Sequence, residues 1–188
     1  MAMRKLKLQM QMTVDGFVAG PEGQLDWMTR SPDDRVIALI NQLTDTSDTI
    51  LLGRKMTAGF INYWEGVQPS SPEYSFARKM VDTPKVVFSK TLTRVDGKNV
   101  RVESGDLVQA VSGLKQRPGK DIVVYGGATF VRALIEHDLI DELNLFMNPV
   151  AIGRGMRIFT DRKTLRLTGS TAYPSGVVVS TYQPVSLG

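Results

Sequence analysis

Asp121 to Ile135 is the stretch that most limits what this chain can fold into. Ile122-Val123-Val124-Tyr125 is an unbroken β-branched and aromatic run, as expected of a strand covered on both faces. From Phe130 the period changes, because Phe130/Leu134 and Val131/Ile135 are i, i+4 pairs on a helix. Gly126 and Gly127 stand between the two, at the carboxyl end of the strand and the amino end of the helix. Two missing Cβ atoms there let a ligand approach the backbone, and free N–H groups with the helix dipole favour an anion such as phosphate. The plainer alternative is a tight strand-to-helix turn. Neither a G-x-G-x-x-G fingerprint nor a Gly-Lys-Ser/Thr phosphate loop is present.

The rest of the chain bounds the class of protein. A length of 188 residues suits a single domain, 1–188, able to bury a sizeable core. No apolar run approaches the roughly 20 residues that span a bilayer. Met1 to Lys7 lacks the apolar centre of a signal peptide, so a cytoplasmic protein is expected and no membrane partner. The chain has no cysteine, which excludes disulfides and thiolate-bound zinc. Its one histidine, His137, falls late on the helix just described and reads as a surface residue, so no metal site is expected. The net charge of +4 is spread without a basic block. That argues against a nucleic-acid stripe and agrees with a phosphorylated small molecule as ligand.

Leu6, Leu8, Met10 and Met12 alternate with Lys7, Gln9 and Gln11, which predicts a first strand. If that strand is covered on both faces, Gln9 and Gln11 must meet something polar. A loop follows from Thr13 to Trp27, with Gly16, Gly20, Pro21 and Gly23, and is expected to be mobile and able to close over a site. Ser31-Pro32-Asp33-Asp34 reads as a helix start, with Ser31 as cap and Pro32 in the first turn; Val36, Leu39, Ile40 and Leu43 form its apolar face. A short strand over Thr49 to Leu52 exits into Gly53-Arg54, and a short helix over Arg54 to Phe60 gives way to a loop from Tyr63 to Ser71. Further elements are a helix from Ser71-Pro72-Glu73 to about Met80, strands at Lys85 to Phe88 and Val100 to Val102, and a helix through Leu107, Val111 and Leu114. Leu143, Leu145 and Met147 alternate with Asn144, Phe146 and Asn148 in another strand, and a hairpin closes the chain around Pro174-Ser175-Gly176. The order predicts an α/β fold: a mostly parallel central sheet, an antiparallel C-terminal hairpin edge, and helices on both faces.

Four of these pieces, in this order and spacing, resemble the dihydrofolate reductase fold family: the D-G-F-V-A-G-P-E-G-Q-L-D-W loop, the strand into Gly53-Arg54, Val86-Val87-Phe88-Ser89, and Ile122 to Ile135. The likeness covers nearly the whole chain. It is closest to the branch holding the C-terminal reductase domain of riboflavin biosynthesis enzymes and its stand-alone bacterial relatives. The resemblance implies NADPH lying across the carboxyl ends of the strands. Gly53, Arg54 and Lys55 would meet its phosphates, with Arg54 near the adenosine 2′-phosphate. Ser89 and Lys90 would flank the same end. Gly126, Gly127, Ala128, Thr129 and Phe130 would wrap the diphosphate, and Val18, Ala19 and Gly20 would cover the nicotinamide. The Gly126–Gly127 peptide is expected to be cis, as in the folate reductases. Arg54 also reads as a surface ion-pair residue, and Ser89 as a simple turn residue.

On the substrate side, Trp27, Asp33, Asn144 and Phe146 are candidates, with Trp27 a pocket wall or a core anchor. Asp33 and Asp34 read more simply as helix-start residues. For protonation, Asp26 and Gln11 are the catalytic candidates. Ordered water is the expected proton source, with Gln11 positioning it or the substrate. The expected activity is NADPH-dependent hydride transfer to a small heterocyclic (pterin- or pyrimidinone-like) or carbonyl substrate. The alternatives are the riboflavin-pathway 5-amino-6-(5-phosphoribosylamino)uracil reductase and a non-catalytic NADP-binding module. By the same resemblance the chain is expected to form a homodimer.

Overall fold

The computed structural model of the chain describes residues 3–28 and 33–185. Its elements are β1 (Leu6–Thr13), α1 (Asp34–Asp45), β2 (Ser47–Gly53), α2 (Arg54–Gly66), α3 (Tyr74–Asp82), β3 (Lys85–Phe88), β4 (Val100–Glu103), α4 (Leu107–Gln116), β5 (Asp121–Val124), α5 (Ala128–Glu136), β6 (Glu142–Asn148), β7 (Leu165–Ala172) and β8 (Val178–Pro184). The strands form one sheet in the order β4-β3-β2-β5-β1-β6-β8-β7. All pairings from β4 to β6 are parallel, whereas β8 runs antiparallel to both β6 and β7. The mostly parallel sheet and its antiparallel hairpin edge are therefore as expected.

β2, β3 and β5 are apolar on both faces over most of their length because helices cover both. Leu8, Met10 and Leu51 face Val111 and Leu114 of α4 and Val131 and Leu134 of α5. On the other side, Ile50, Leu52 and Val87 pack on Phe60 of α2 and Met80 of α3. Further along that side, Phe146 and Val179 pack on Val36 of α1. Ile50, Leu51 and Leu52 are fully buried, each contributing roughly 1.5–3 kcal/mol of transfer free energy.

Two expectations about the elements change. The chain from Tyr63 to Gly66 is helical, because α2 continues as one helix that packs Phe60 and Trp64 edge to face and Trp64 against Phe76 of α3. Packing between α2 and α3 extends a helix whose local sequence offered no strong stop signal. At α1 the cap is Asp33, whose carboxylate accepts from Arg35 N at 3.0 Å; Ser31 and Pro32 lie outside the described residues. His137 is the exposed C-cap of α5, the surface position predicted for it.

Candidate active site

β2 and β5 are neighbours, yet α2 leaves β2 toward one face of the sheet and α5 leaves β5 toward the other. Such a reversal opens a crevice at the carboxyl ends of the strands, the usual ligand position in open α/β sheets. Both strands leave on glycine. Gly53 N donates to Gly126 O at 3.3 Å, and a methyl group at Gly53 would come within 2.6 Å of Phe130 Cβ. Gly53 thus admits the first turn of α5, and this draws the amino ends of α2 and α5 together. Gly126 has φ +148°, where a side chain is strained, and any Cβ would meet Met56 Sδ at 3.0 Å. The Gly126–Gly127 peptide is cis, as expected. At Gly127 a methyl would meet only Met56 Cβ, at an ordinary 3.8 Å.

The helix starts differ in a telling way. α1 and α4 are capped by Asp33 and Asp106, whose carboxylates accept from Arg35 N and Gln109 N. α2 and α5 begin at Gly53 and Gly127, with no side-chain cap and no acid in the first turn. The leading N–H groups of a helix have no partner within it. Along α5, Val131 N is bonded to Gly127 O, leaving the amides of Ala128, Thr129 and Phe130 ahead of it for an outside acceptor. Arg54 and Lys55 stand exposed at the head of α2, and Arg54 forms no ion pair among the described residues. Two positive helix ends and two cations around one glycine-lined crevice suit a diphosphate. The residues present therefore fit the dinucleotide that the resemblance implies.

Other candidates are placed differently. The ring of Phe130 is taken up in a stack on Phe88 at 5.2 Å between centroids, which leaves its backbone amide as the group it can offer a ligand. Ser89 is buried, and its Oγ accepts from Thr91 N and Leu92 N, so it closes a turn. Lys90 Nζ donates to Ser104 O and Gly105 O at 2.7 and 2.8 Å, which ties the ammonium to the loop after β4. Sequence alone could not show these partners, since Ser104 and Gly105 are brought to Lys90 by the parallel β3–β4 pairing.

The loop after β1 is not uniformly mobile. Asp15 accepts from Thr13 Oγ1 at 2.5 Å and from the amides of Ile152 and Gly153 at 3.1 and 2.7 Å. The Thr13 hydroxyl first, and then those amides, hold the Asp15 carboxyl below its usual range against the opposing effect of burial. Val18 N donates to Met156 O, and Met156 N to Ala19 O, both at 2.8 Å. Phe17, Val18 and Ala19 are buried, and the Arg157 guanidinium lies 4.2 Å over the Phe17 ring. Only Pro21 to Asp26 form an exposed tip. Asp26 sits there in solvent, which removes the burial needed to make it a strong acid candidate. Trp27 is half-buried with its indole N–H on Gln24 O, so it braces its own loop and is no core anchor. Asp15 was missed by sequence reasoning; its only signal was an Asp-Gly pair in a glycine-rich loop.

Beneath α1 the sheet presents a polar row. Asn144 is 3% exposed and accepts from Thr181 Oγ1 while donating to Glu142. Phe146 has no exposure and belongs to the core under Val36. Both are buried, so both leave the substrate set: the strand alternation places them on one face, but α1 packs over that part of it and the β8 ladder flanks it. Asp33 is taken up as the α1 cap. Gln11 remains half-buried near the carboxyl end of β1 and is bonded to Asn148. Gln9 is buried, and its Oε1 has no partner among the described residues. Tyr125 stacks on Phe60 and shares a 3.1 Å hydrogen bond with Thr44; burial pushes its phenol up to about 12. It is a neutral structural residue at any working pH.

Comparisons with known proteins agree with this geometry. The family model for the RibD C-terminal domain matches residues 4–179. An uncharacterized Bacillus subtilis protein, YyaP, is 32% identical over 182 residues, spanning 95% of this chain and 94% of its own length. Among solved structures, a putative riboflavin biosynthesis protein from Shewanella sp. PV-4 superposes with a TM-score of 0.72 at 21% identity, covering 98% of this chain and all of that one. Dihydrofolate reductase from Enterococcus faecalis, solved with NADP(H), superposes with a TM-score of 0.62 at 16% identity, covering 97% of each chain. At such identities these two likenesses establish the dihydrofolate reductase-like fold.

Proposed function

The chain belongs to the RibD C-terminal domain family, and on that premise we propose that it is an NADPH-dependent reductase delivering hydride to a small heterocyclic or carbonyl substrate. One observation carries the reading: α2 and α5, alone among the helices with glycine caps, converge at the switch point with Arg54 and Lys55 beside them. The diphosphate is held by the amides of Ala128 to Phe130, and Arg54 takes the 2′-phosphate. The bound cofactor supplies the hydride; this chain binds it, orients it and keeps water from it. Val18 and Ala19 lie on the half of the β1 loop that is pinned to Met156, which makes them a fixed wall for the nicotinamide.

Within this class, the pyrimidinone reductase step of riboflavin synthesis is the favoured finer reading over folate reduction. Its support is the family match, together with the absence from α1 of the buried acid that the folate reductases of this resemblance carry on their first helix: here Asp33 serves as cap and Asp34 is exposed. We also infer a homodimer. β7 is a bare edge strand of eight residues, paired among the described residues only with β8 and exposed from Arg166 to Ala172, and edges of that kind favour pairing with a second copy. Light scattering tests this, and a monomer at micromolar concentration would remove it.

The function is tested by fluorescence titration with NADPH and NADH, followed by NADPH oxidation against 5-amino-6-(5-phosphoribosylamino)uracil, dihydropterins and quinones. Binding without turnover of any of them would favour a non-catalytic NADP-binding module. No binding would remove the reading altogether.

A further inference from the structure

Asn148, the last residue of β6, is 1% exposed. Its Nδ2 lies 3.1 Å from Phe146 O, 3.4 Å from Met12 O and 2.8 Å from Gln11 Oε1. The two backbone carbonyls can only accept, so the Asn148 amide must turn its NH2 group toward them. That same NH2 group faces Gln11, which can answer only with its carbonyl oxygen. The orientation of the Gln11 amide is thereby decided by chemistry two residues deep in the sheet. Its own NH2 group points away from Asn148 and has no acceptor among the described residues.

Gln11 occupies a position where that matters. β1 lies between β5 and β6. Leu8 pairs with Val124, and the same register carried three residues on brings Gln11, at the carboxyl end of the sheet, level with Gly127 of the diglycine that follows the adjacent strand. Met10, its neighbour, has its Cε 3.8 Å from where a Gly126 side chain would begin. Two residues after Gln11 the chain enters the loop carrying Val18 and Ala19. Gln11 keeps partial exposure while Asn148 has almost none.

We propose that Asn148 locks Gln11 as a hydrogen-bond donor to the substrate, so that the substrate presents an acceptor there, a carbonyl oxygen or an unprotonated ring nitrogen. This rests on the reductase reading and narrows its substrate to neutral lactam- or imine-type rings. In the reaction, hydride forms a new C–H bond at the carbon of the C=O or C=N group. The π pair moves onto the heteroatom, which then takes a proton from water, and the nicotinamide is oxidised. A fixed N–H donor at that heteroatom favours the charge as it develops. A carboxylate in the same place would instead select a cationic ring bearing two N–H donors. Asn148 acts through Gln11 and is a positioning residue; Gln11 touches substrate.

The test uses the whole protein saturated with NADP+, with cofactor binding measured first by fluorescence so that failure of the reductase reading is seen separately. The Gln11 side-chain NH2 signals are assigned in a 15N-labelled sample by their loss in Gln11→Met. Uracil, which offers carbonyl acceptors, is expected to shift those signals; protonated 2,4-diaminopyrimidine, which offers N–H donors, is not. Gln11→Met should weaken uracil binding roughly tenfold, the worth of one hydrogen bond. Gln11→Glu can still accept from Asn148 but presents an oxygen to the cleft, and should reverse the preference toward diaminopyrimidine. Asn148→Ala frees the Gln11 amide to rotate and should abolish discrimination between the two probes while circular dichroism stays unchanged. Uracil binding that leaves the Gln11 signals unmoved, wild-type uracil affinity in Gln11→Met, or failure of both probes to bind the cofactor-loaded protein would each overturn the proposal.

Discussion

Arg54 and the site glycines carry different free energies for different reasons. Arg54 is exposed at the head of α2 without a carboxylate partner among the described residues, so its guanidinium is available for a phosphate monoester. Ser89 and Lys90 are committed to a turn and to backbone carbonyls, which leaves selectivity mainly to Arg54. NADPH is expected to bind more tightly than NADH by on the order of 2 kcal/mol, and Arg54→Ala to erase most of that difference. Fluorescence titration of both cofactors decides it, and equal affinities in the unmodified protein would remove the assignment. The glycines separate packing from binding. Gly53→Ala forces a contact of 2.6 Å with Phe130 Cβ and should cost about 1–3 kcal/mol of stability. A Cβ at Gly127 meets only Met56 Cβ at 3.8 Å, so Gly127→Ala should leave the melting temperature nearly unchanged yet lower NADPH affinity. Unaltered affinity in Gly127→Ala would mean that this glycine is a turn residue alone.

At the scale of elements, period and punctuation were enough for most of the chain. The alternation from Leu6 to Met12 and from Leu143 to Asn148 places the side chains on the faces predicted for them, because a strand with both faces covered tolerates no register error. The diglycine between Tyr125 and Ala128 likewise marked the crevice. The β1 loop was not legible: counting glycines predicts freedom, whereas Asp15 bonds amides 137 and 138 residues away. Contacts at that distance leave no local pattern. The loop should therefore behave as two parts. Hydrogen exchange is expected to show Phe17 to Ala19 slow with or without NADPH, and Pro21 to Asp26 fast until NADPH is added. Asp15→Asn should accelerate exchange at Ile152 and Gly153. The sign with pH follows from a folded-state pKa below the usual 3.8: the latch contributes stability above that value and loses it as pH falls through the lower, folded-state pKa. It should thus stay shut across neutral pH. Equal exchange rates in both parts of the loop would mean that the latch does not divide it.

Across the whole molecule, the crevice occupies the carboxyl ends of the parallel strands, and the opposite end is closed by a polar staple around Arg4. Nothing in the sequence singles this residue out, yet it is only 7% exposed. Its guanidinium bonds Asp48, the carbonyl of Lys120, Thr49 Oγ1 at 2.8 Å and Leu114 O at 3.4 Å. Asp48 in turn accepts from Lys120 N at 2.8 Å. One side chain thus joins the start of β2, the end of α4 and the turn into β5, elements that sequence order keeps far apart. A buried charge removed from its partners leaves them unsatisfied, and Arg4→Met should cost on the order of 3 kcal/mol, tempered because Asp48 keeps some access to water. For a chain of this size that is a fall of about 10 °C in melting temperature. Since the staple and the crevice lie at opposite ends of the strands, NADPH affinity measured below the transition should hardly change. Calorimetry paired with a cofactor titration checks both halves. An unchanged melting temperature would show the staple to be energetically idle, and a weakened NADPH complex in a still-folded variant would show that the two ends of the sheet are coupled.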